Sequence, residues 1–398
     1  MLRDLIIVGA GPVGATLALA LADDGLDAVA LDARPLGAIG RGDRSLALSH
    51  GARLILERLG IWSAIAAARD AVTPITAIDI SQRGGFGRMR LDALEQGLPA
   101  LGYVVSYRAL QAALDAALGR AGNKVVYGAK VTAIRTTPSY AAVDTTQADA
   151  GLELSARLVA VADGGGGELI GRLKRHHHDY GQVALVGKLS PREPHGGIAF
   201  ERFTPEGPVA LLPEGEHYGF VWTTTPAQSE ALLALPDAQF LEALEQRFGL
   251  HATAHNARPS TQPAGFERVT DRRAFPLRLE YADRVVGQRV VLLGDAAQAL
   301  HPVAGQGFNL GMRDAYELAQ ELLATPRDAI GARDRLAAYA RRRRADRAAG
   351  IAFTHGLLGI FGSDAPLLRW PRGLALTMLD ALPAVKRAFA RAMTLGMH

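Results

Sequence analysis

Two glycine-rich turns near opposite ends of a 398-residue chain carry most of its chemical potential. The first is Gly9-Ala10-Gly11-Pro12-Val13-Gly14, preceded by the apolar run Leu5-Ile6-Ile7-Val8 and followed by an Ala/Leu-rich stretch to about Asp24. Such a run reads as a parallel strand buried on both faces, and the Ala/Leu stretch as a helix. In this pattern Gly9 makes a tight turn, Gly11 lets backbone approach a pyrophosphate, and Gly14 lets helix pack on strand. The helix start adds unpaired N–H groups and a positive dipole end. Asp32 ends the next strand, Ala28–Asp32, where its carboxylate can accept hydrogen bonds from ribose hydroxyls. Strand, helix and terminal acid in register point to a bound nucleotide. The competing reading is a glycine turn that packs a helix closely and binds nothing.

The second turn discriminates among nucleotides. Gly294-Asp295 closes the buried run Val290–Leu293, and Gly305-Gln306-Gly307-Phe308-Asn309-Leu310 opens another helix. Asp295 can hold the ribityl hydroxyls of a flavin, and N–H groups at the helix start can stabilise negative charge on its reduced ring. An NAD dehydrogenase has no need of this second helix start, so FAD is the expected cofactor. Elsewhere, His217 and Tyr218 on a strand-like segment can bond a substrate oxygen, against the simpler reading of satisfied polar residues on a sheet. His176-His177-His178 reads as a solvated turn rather than a metal tract, and no metal is expected.

The elements around these turns imply two interlocked units, because 48% hydrophobic content over this length exceeds one small core. Ser45 to Leu59 has helical apolar spacing, and Ala109 to Ala121 a stronger one, with leucines at 110, 114 and 118. Lys124–Tyr127, Val131–Arg135, Ala141–Thr145 and Leu158–Ala162 are strand-like. From about Arg175 to Arg284, alternating and aromatic-rich segments indicate a mostly antiparallel sheet on the substrate side. The expected fold is α/β: a Rossmann-like nucleotide domain interrupted by that sheet and finished by a helical C-terminal tail. Its parts are 1–80, 107–174 and 285–326 for the cofactor, 81–106 and 175–284 for the substrate, and 327–398 for the tail.

Composition removes other chemistries. The chain has no cysteine, so disulfides, thiolate metal sites and cysteine nucleophiles are excluded, and a reducing cytoplasm fits. Met1–Leu5 runs straight into a strand, so a secretion leader is not expected. From Arg327 to His398 thirteen Lys/Arg face five Asp/Glu, a basic end on a mildly acidic body. The run Arg341–Arg344 with Arg347 is either a solvated helix face or a contact for anionic lipid or an acidic protein. Apolar stretches near 357–361 and 374–382, with nearby Arg369, Arg372, Lys386 and Arg387, suit a bilayer surface or a tail folded on the core. Aromatics are too sparse among these cations for nucleic acid.

Gly9–Gly14, Asp163-Gly164 and Gly294-Asp295, in this order, resemble the class A flavoprotein aromatic hydroxylases, relatives of para-hydroxybenzoate hydroxylase. The middle motif usually continues to a serine and a basic residue, whereas this chain has Gly165-Gly166-Gly167-Glu168. Arg44–Ser49, Ala199–Thr204 with Gly207-Pro208, and His301–Asp314 narrow the likeness to the ubiquinone-biosynthesis hydroxylases. Ser81–Gly84 and the helical tail are most similar to the branch acting on 2-polyprenyl-6-methoxyphenol. The resemblance implies FAD contacts at Arg34, Arg44, Arg108, Gln111, Asp163, Gly164, Asp295, Pro302 and Gly305–Leu310.

It also implies a reaction in which NAD(P)H reduces FAD, dioxygen is captured as a flavin hydroperoxide, and a prenylated phenol ring attacks the distal oxygen. His301 and Pro302 are expected beside the flavin ring. The implied setting is cytoplasmic and peripheral to the inner membrane, with other quinone-biosynthesis proteins as partners. A soluble phenol hydroxylase or prenyl reductase of the same fold, or a non-catalytic scaffold, are the alternatives. A halogenase is excluded, because Trp62, Trp222 and Trp370 cannot form its Trp-x-Trp-x-Ile-Pro motif.

Overall fold

The computed structural model describes residues 2–22, 24–38, 44–84, 86–122, 124–147, 150–165, 173–250, 262–300, 305–361 and 366–396. Leu2–Val8 lies at the centre of the first sheet, parallel to Ala28–Asp32 on one side and to the end of Ala150–Val161 on the other. Lys124–Tyr127 and Val290–Leu292 extend that parallel core. Leu5, Ile6 and Ile7 are essentially unexposed, as expected where helices cover both faces. Each such aliphatic side chain contributes roughly 1.5–3 kcal/mol of burial. The helices Pro12–Ala20, Tyr107–Arg120 and Gln306–Leu323 cover this sheet.

The second sheet has eight strands with two 17-residue strands, Arg175–Pro191 and Phe266–Ala282, paired antiparallel along most of their length. Its remaining neighbours pair antiparallel except Ile198–Phe203 with Ala77–Gln82, which run parallel. One face packs a core of Phe220, Trp222, Phe240 and Leu244 beneath the helices Pro226–Ala234 and Asp237–Phe248. The other face turns toward the first unit. A three-stranded sheet of Ser45–Ser49, Gly102–Ser106 and Val72–Ile75 stands between the two. Helices Arg333–Phe361, Pro366–Ala381 and Pro383–Leu395 complete the chain.

Two local expectations are corrected. Ser45–Leu59 is not one helix: Ser45–Ser49 is a strand and only His50–Arg58 is helical. Ser-Leu-Ala-Leu-Ser alternates with period two, and the Ser49 hydroxyl caps the helix by accepting from Ala52 N at 3.2 Å. The three adjacent histidines lie on a strand rather than in a turn. His176 stacks on Tyr281 with centroids 4.8 Å apart, and His177 approaches Glu280 at 3.6 Å.

Candidate active site

Tertiary packing brings the two glycine turns together. A Cβ on Gly14 would stand 1.9 Å from the carbonyl oxygen of Gly9, so helix and turn approach closer than any side chain permits. A Cβ on Gly311 would lie 2.8 Å from Cα of Gly294 and 3.1 Å from Val13 Cγ2. The first helix, the Gly294-Asp295 turn and the late helix thus meet at one point, and the Thr16 hydroxyl reaches Met312 Sδ at 3.3 Å. Asp163 belongs to the same junction, because a Gly9 Cβ would come within 2.9 Å of its Cα.

Around the first turn, Asp32 accepts from Ala10 N at 2.8 Å and from Arg34 N at 2.7 Å. Arg34 lies between Asp32 and Asp115. Gln111 donates to the Ala10 carbonyl at 3.2 Å and to Asp115 at 2.8 Å, while its buried Oε1 accepts nothing. Space above Gly11 is open, and a Cβ there would meet no heavy atom within 4 Å. An uncovered glycine and a helix N-terminus suit a pyrophosphate, and the orphaned amide oxygen can accept from a hydroxyl of the cofactor, so these residues fit FAD. Arg44 stacks over Tyr107 at 4.8 Å near the start of the helix that carries exposed Arg108 and buried Gln111.

At the second turn Gly305, with φ of +60°, precedes the helix start. Asn309 fixes it: Oδ1 accepts from Ser49 N at 2.8 Å, and Nδ2 donates to the carbonyls of Ala47 and Gly305 at 2.9 and 2.8 Å. Its side chain is therefore committed to holding the helix on the small sheet. Leu310 is buried, with Gly350 of the helix Arg333–Phe361 beside it. Gln306 is nearly buried and Gly307 opens toward Leu300. Asp295 is exposed among buried neighbours. His301 and Pro302 lie outside the described residues, as do Gly166, Gly167 and Glu168.

From Gly305 and Gln306 a cavity of about 470 Å³ opens between the second sheet and the C-terminal helices. Its walls are almost wholly apolar, among them Ile78, Ile80, Leu212, Val221, Leu376 and Phe389. Strand alternation decides which residues reach it. Val221 and Thr223 line it, whereas Tyr218, Phe220 and Trp222 point into the core on the opposite face. Tyr218 is 2% exposed and its burial raises the phenol pKa, and it packs against Phe200 and Phe266 rather than in the cavity. His217 is exposed at the strand's end, 3.4 Å from the Ser190 hydroxyl. Neither is brought to the cavity.

Sequence reasoning gave no role to Glu201, which lines this cavity. Its Oε1 is buried without a hydrogen-bond partner, and burial pushes the carboxyl up to about 7. The available signal was an acid at a cavity-facing position of the strand Ile198–Phe203, between Ala199 and Phe203.

One member of the arginine run departs from the surface reading. Arg343 is 2% exposed and pairs with Asp314 at 2.8 Å and Asp346 at 2.7 Å, and Arg313 joins Asp346 at 2.9 Å. Arg342 pairs with Glu321, and Arg347 bonds Gln298 and the Ala282 carbonyl. Arg341, Arg342 and Arg344 are exposed, so the run is largely the solvated helix face expected, with Arg343 alone turned inward as an internal clamp.

The model of the FAD binding domain family matches residues 3–354. The chain is 34% identical to ubiquinone hydroxylase UbiL of Rhodospirillum rubrum, over 98% of this chain and 88% of that protein. It is 30% identical to 3-demethoxyubiquinol 3-hydroxylase of Escherichia coli, over 96% of both. Among solved structures, p-nitrophenol 4-monooxygenase PnpA from Pseudomonas putida superposes with a TM-score of 0.73 at 19% identity, covering 99% of this chain and 98% of that one. That likeness bears on the fold alone. Matched nearly end to end by such relatives, and with its glycine turns joined as an FAD site requires, the chain belongs to the ubiquinone-biosynthesis hydroxylases, a family of FAD-dependent monooxygenases.

Proposed function

We propose that this enzyme hydroxylates the ring of a prenylated phenol in quinone biosynthesis, taking electrons from NAD(P)H and oxygen from dioxygen. The observation that carries the reading is the apolar cavity running from the Gly305–Gln306 helix start to the C-terminal helices. A polyprenyl chain needs such a wall, since each buried methylene gains about 0.8 kcal/mol. FAD, when bound, supplies the oxygen activation. The chain's own residues bind the nucleotide at Gly11 and Gln111, orient the ring, and exclude water with apolar side chains.

Entry of the substrate fits the outer surface of helix Pro366–Ala381. Leu376 and Leu379 face the cavity, while Trp370, Leu374 and Met378 are 73%, 52% and 53% exposed. A helix apolar on both sides, beside exposed Arg387 and Arg391, suits a lipid surface from which a prenylated substrate is drawn. No described helix is long and apolar enough to cross a membrane.

The test is aerobic turnover of 2-farnesylphenol by the FAD-loaded chain with NADPH or NADH under ¹⁸O₂. One labelled oxygen in the aromatic product is expected. Oxidation of NAD(P)H that yields only hydrogen peroxide, with no oxygenated ring at any pH, would overturn the reading.

A further inference from the structure

We infer that Glu201 is the base that takes the phenolic proton as the ring is hydroxylated, an inference that rests on the phenol reading above. Glu201 sits mid-strand in Ile198–Phe203, paired across to Ile80 on one side and Ala210 on the other. Alternation turns Ala199, Glu201 and Phe203 to the cavity, where Ile78, Ile80, Ala210, Leu212 and Val221 surround them. Arg372 is the one other ionisable residue on the described wall. No described side chain bonds or pairs with the Glu201 carboxyl, and one of its oxygens is wholly covered.

An acid in such a wall costs stability, because its charge loses water and gains no partner. Any aliphatic residue would fill this strand position as its neighbours do. What the acid adds is a poised proton acceptor in an apolar chamber. With the carboxyl pushed up to about 7, it is basic enough to accept a proton and still largely ionised above neutrality.

Atoms and electrons balance in this step. As a ring carbon forms its bond to the transferred oxygen atom, the phenol oxygen becomes carbonyl-like and its proton strongly acidic. The O–H electron pair moves into the C=O bond and the proton passes to the Glu201 carboxylate. Loss of hydrogen from the newly hydroxylated carbon restores the aromatic ring, and Glu201 returns its proton to the original oxygen. The ring is oxidised by two electrons and NAD(P)H supplies two more. The second atom of dioxygen leaves as water with the released ring proton. Glu201 ends as the carboxylate it began as.

The test uses the FAD-loaded full chain with 2-farnesylphenol and its methyl ether. In the wild type, kcat/KM for hydroxylation should rise with pH through about 7, and above that pH the phenol should bind about tenfold more tightly than the ether. Glu201→Gln, which keeps the shape, should slow hydroxylation by about 100-fold and lose the limb near neutrality while retaining the bound-FAD spectrum. Glu201→Leu should abolish the preference for phenol over ether, and Glu201→Asp should restore part of the rate and the limb. Wild-type rate and pH profile in Glu201→Gln, or equal binding of phenol and ether by the wild type, would overturn the assignment. A wild type that neither binds nor oxygenates the phenol would instead overturn the substrate reading on which it rests.

Discussion

At the cofactor end, backbone approaches backbone: glycines at positions 9 and 14, and at 294 and 311, remove the atoms that would hold the segments apart. At the cavity end, about 470 Å³ is enclosed by side chains from the second sheet, the small sheet and all three C-terminal helices. The first region is built from short contiguous motifs whose spacing the ligand imposes. The second is built from single residues contributed by many elements, none of them distinctive in its own segment. The contrast teaches that the binding of the coenzyme is set locally, whereas the choice of substrate is set by assembly.

The ion cluster joining the helices Gln306–Leu323 and Arg333–Phe361 should show the largest effect. Arg343→Leu leaves buried Asp314 with Gln298 and no cation, and Asp346 with Arg313 alone, and should destabilise the fold by about 3 kcal/mol in urea unfolding. Arg341→Ala, from the same run but exposed, should change stability by less than about 0.5 kcal/mol. Equal effects would mean that Arg343 is no internal clamp. At the cofactor end, Gly14→Ala places a methyl against the Gly9 carbonyl and should cost about 3 kcal/mol, with loss of FAD from the purified protein.

At the cavity end the sign reverses. The folded Glu201 carboxyl, raised to about 7, binds a proton at pH values where the unfolded one, near 4.3, has lost it. Stability from this group is therefore complete at low pH and falls as pH rises between those values. Glu201→Gln should be the more stable protein above pH 7, by on the order of 2 kcal/mol, with the gap closing toward pH 4 in paired thermal melts. The smallest effect belongs to the outer surface. Trp370→Glu with Leu374→Glu should leave stability within about 0.5 kcal/mol and weaken binding to phosphatidylglycerol vesicles by about tenfold in sedimentation.

Much of the framework was legible in the chain. Leu5–Val8, Gly9–Gly14 and Asp32 read as strand, turn and acid because a buried parallel strand and a phosphate-binding turn each demand a narrow set of residues. The helix start at Gly305 was legible for the same reason. Ser45–Ser49 was misread because a five-residue alternating strand running directly into a helix dilutes both periods. The arginine run read as surface, which holds for Arg341, Arg342 and Arg344, but four consecutive arginines carry no mark of the distant Asp314 that draws the third of them inward. Tyr218 read as a substrate contact because a strand's alternation does not say which of its two faces meets the cavity.

What the chain alone settled is that it carries two glycine-rich turns at helix starts, no thiol chemistry and a mostly antiparallel sheet between them. Those features are local: they depend on steric allowance at glycine, on residue type and on periodicity along one segment. Tertiary structure alone decided that the turns touch, that Tyr218 faces away, that Arg343 is interior, and that the Glu201 Oε1 is buried without a hydrogen-bond partner on an apolar wall. Burial and partnership are sums over residues far apart in the chain, so no window of sequence contains them.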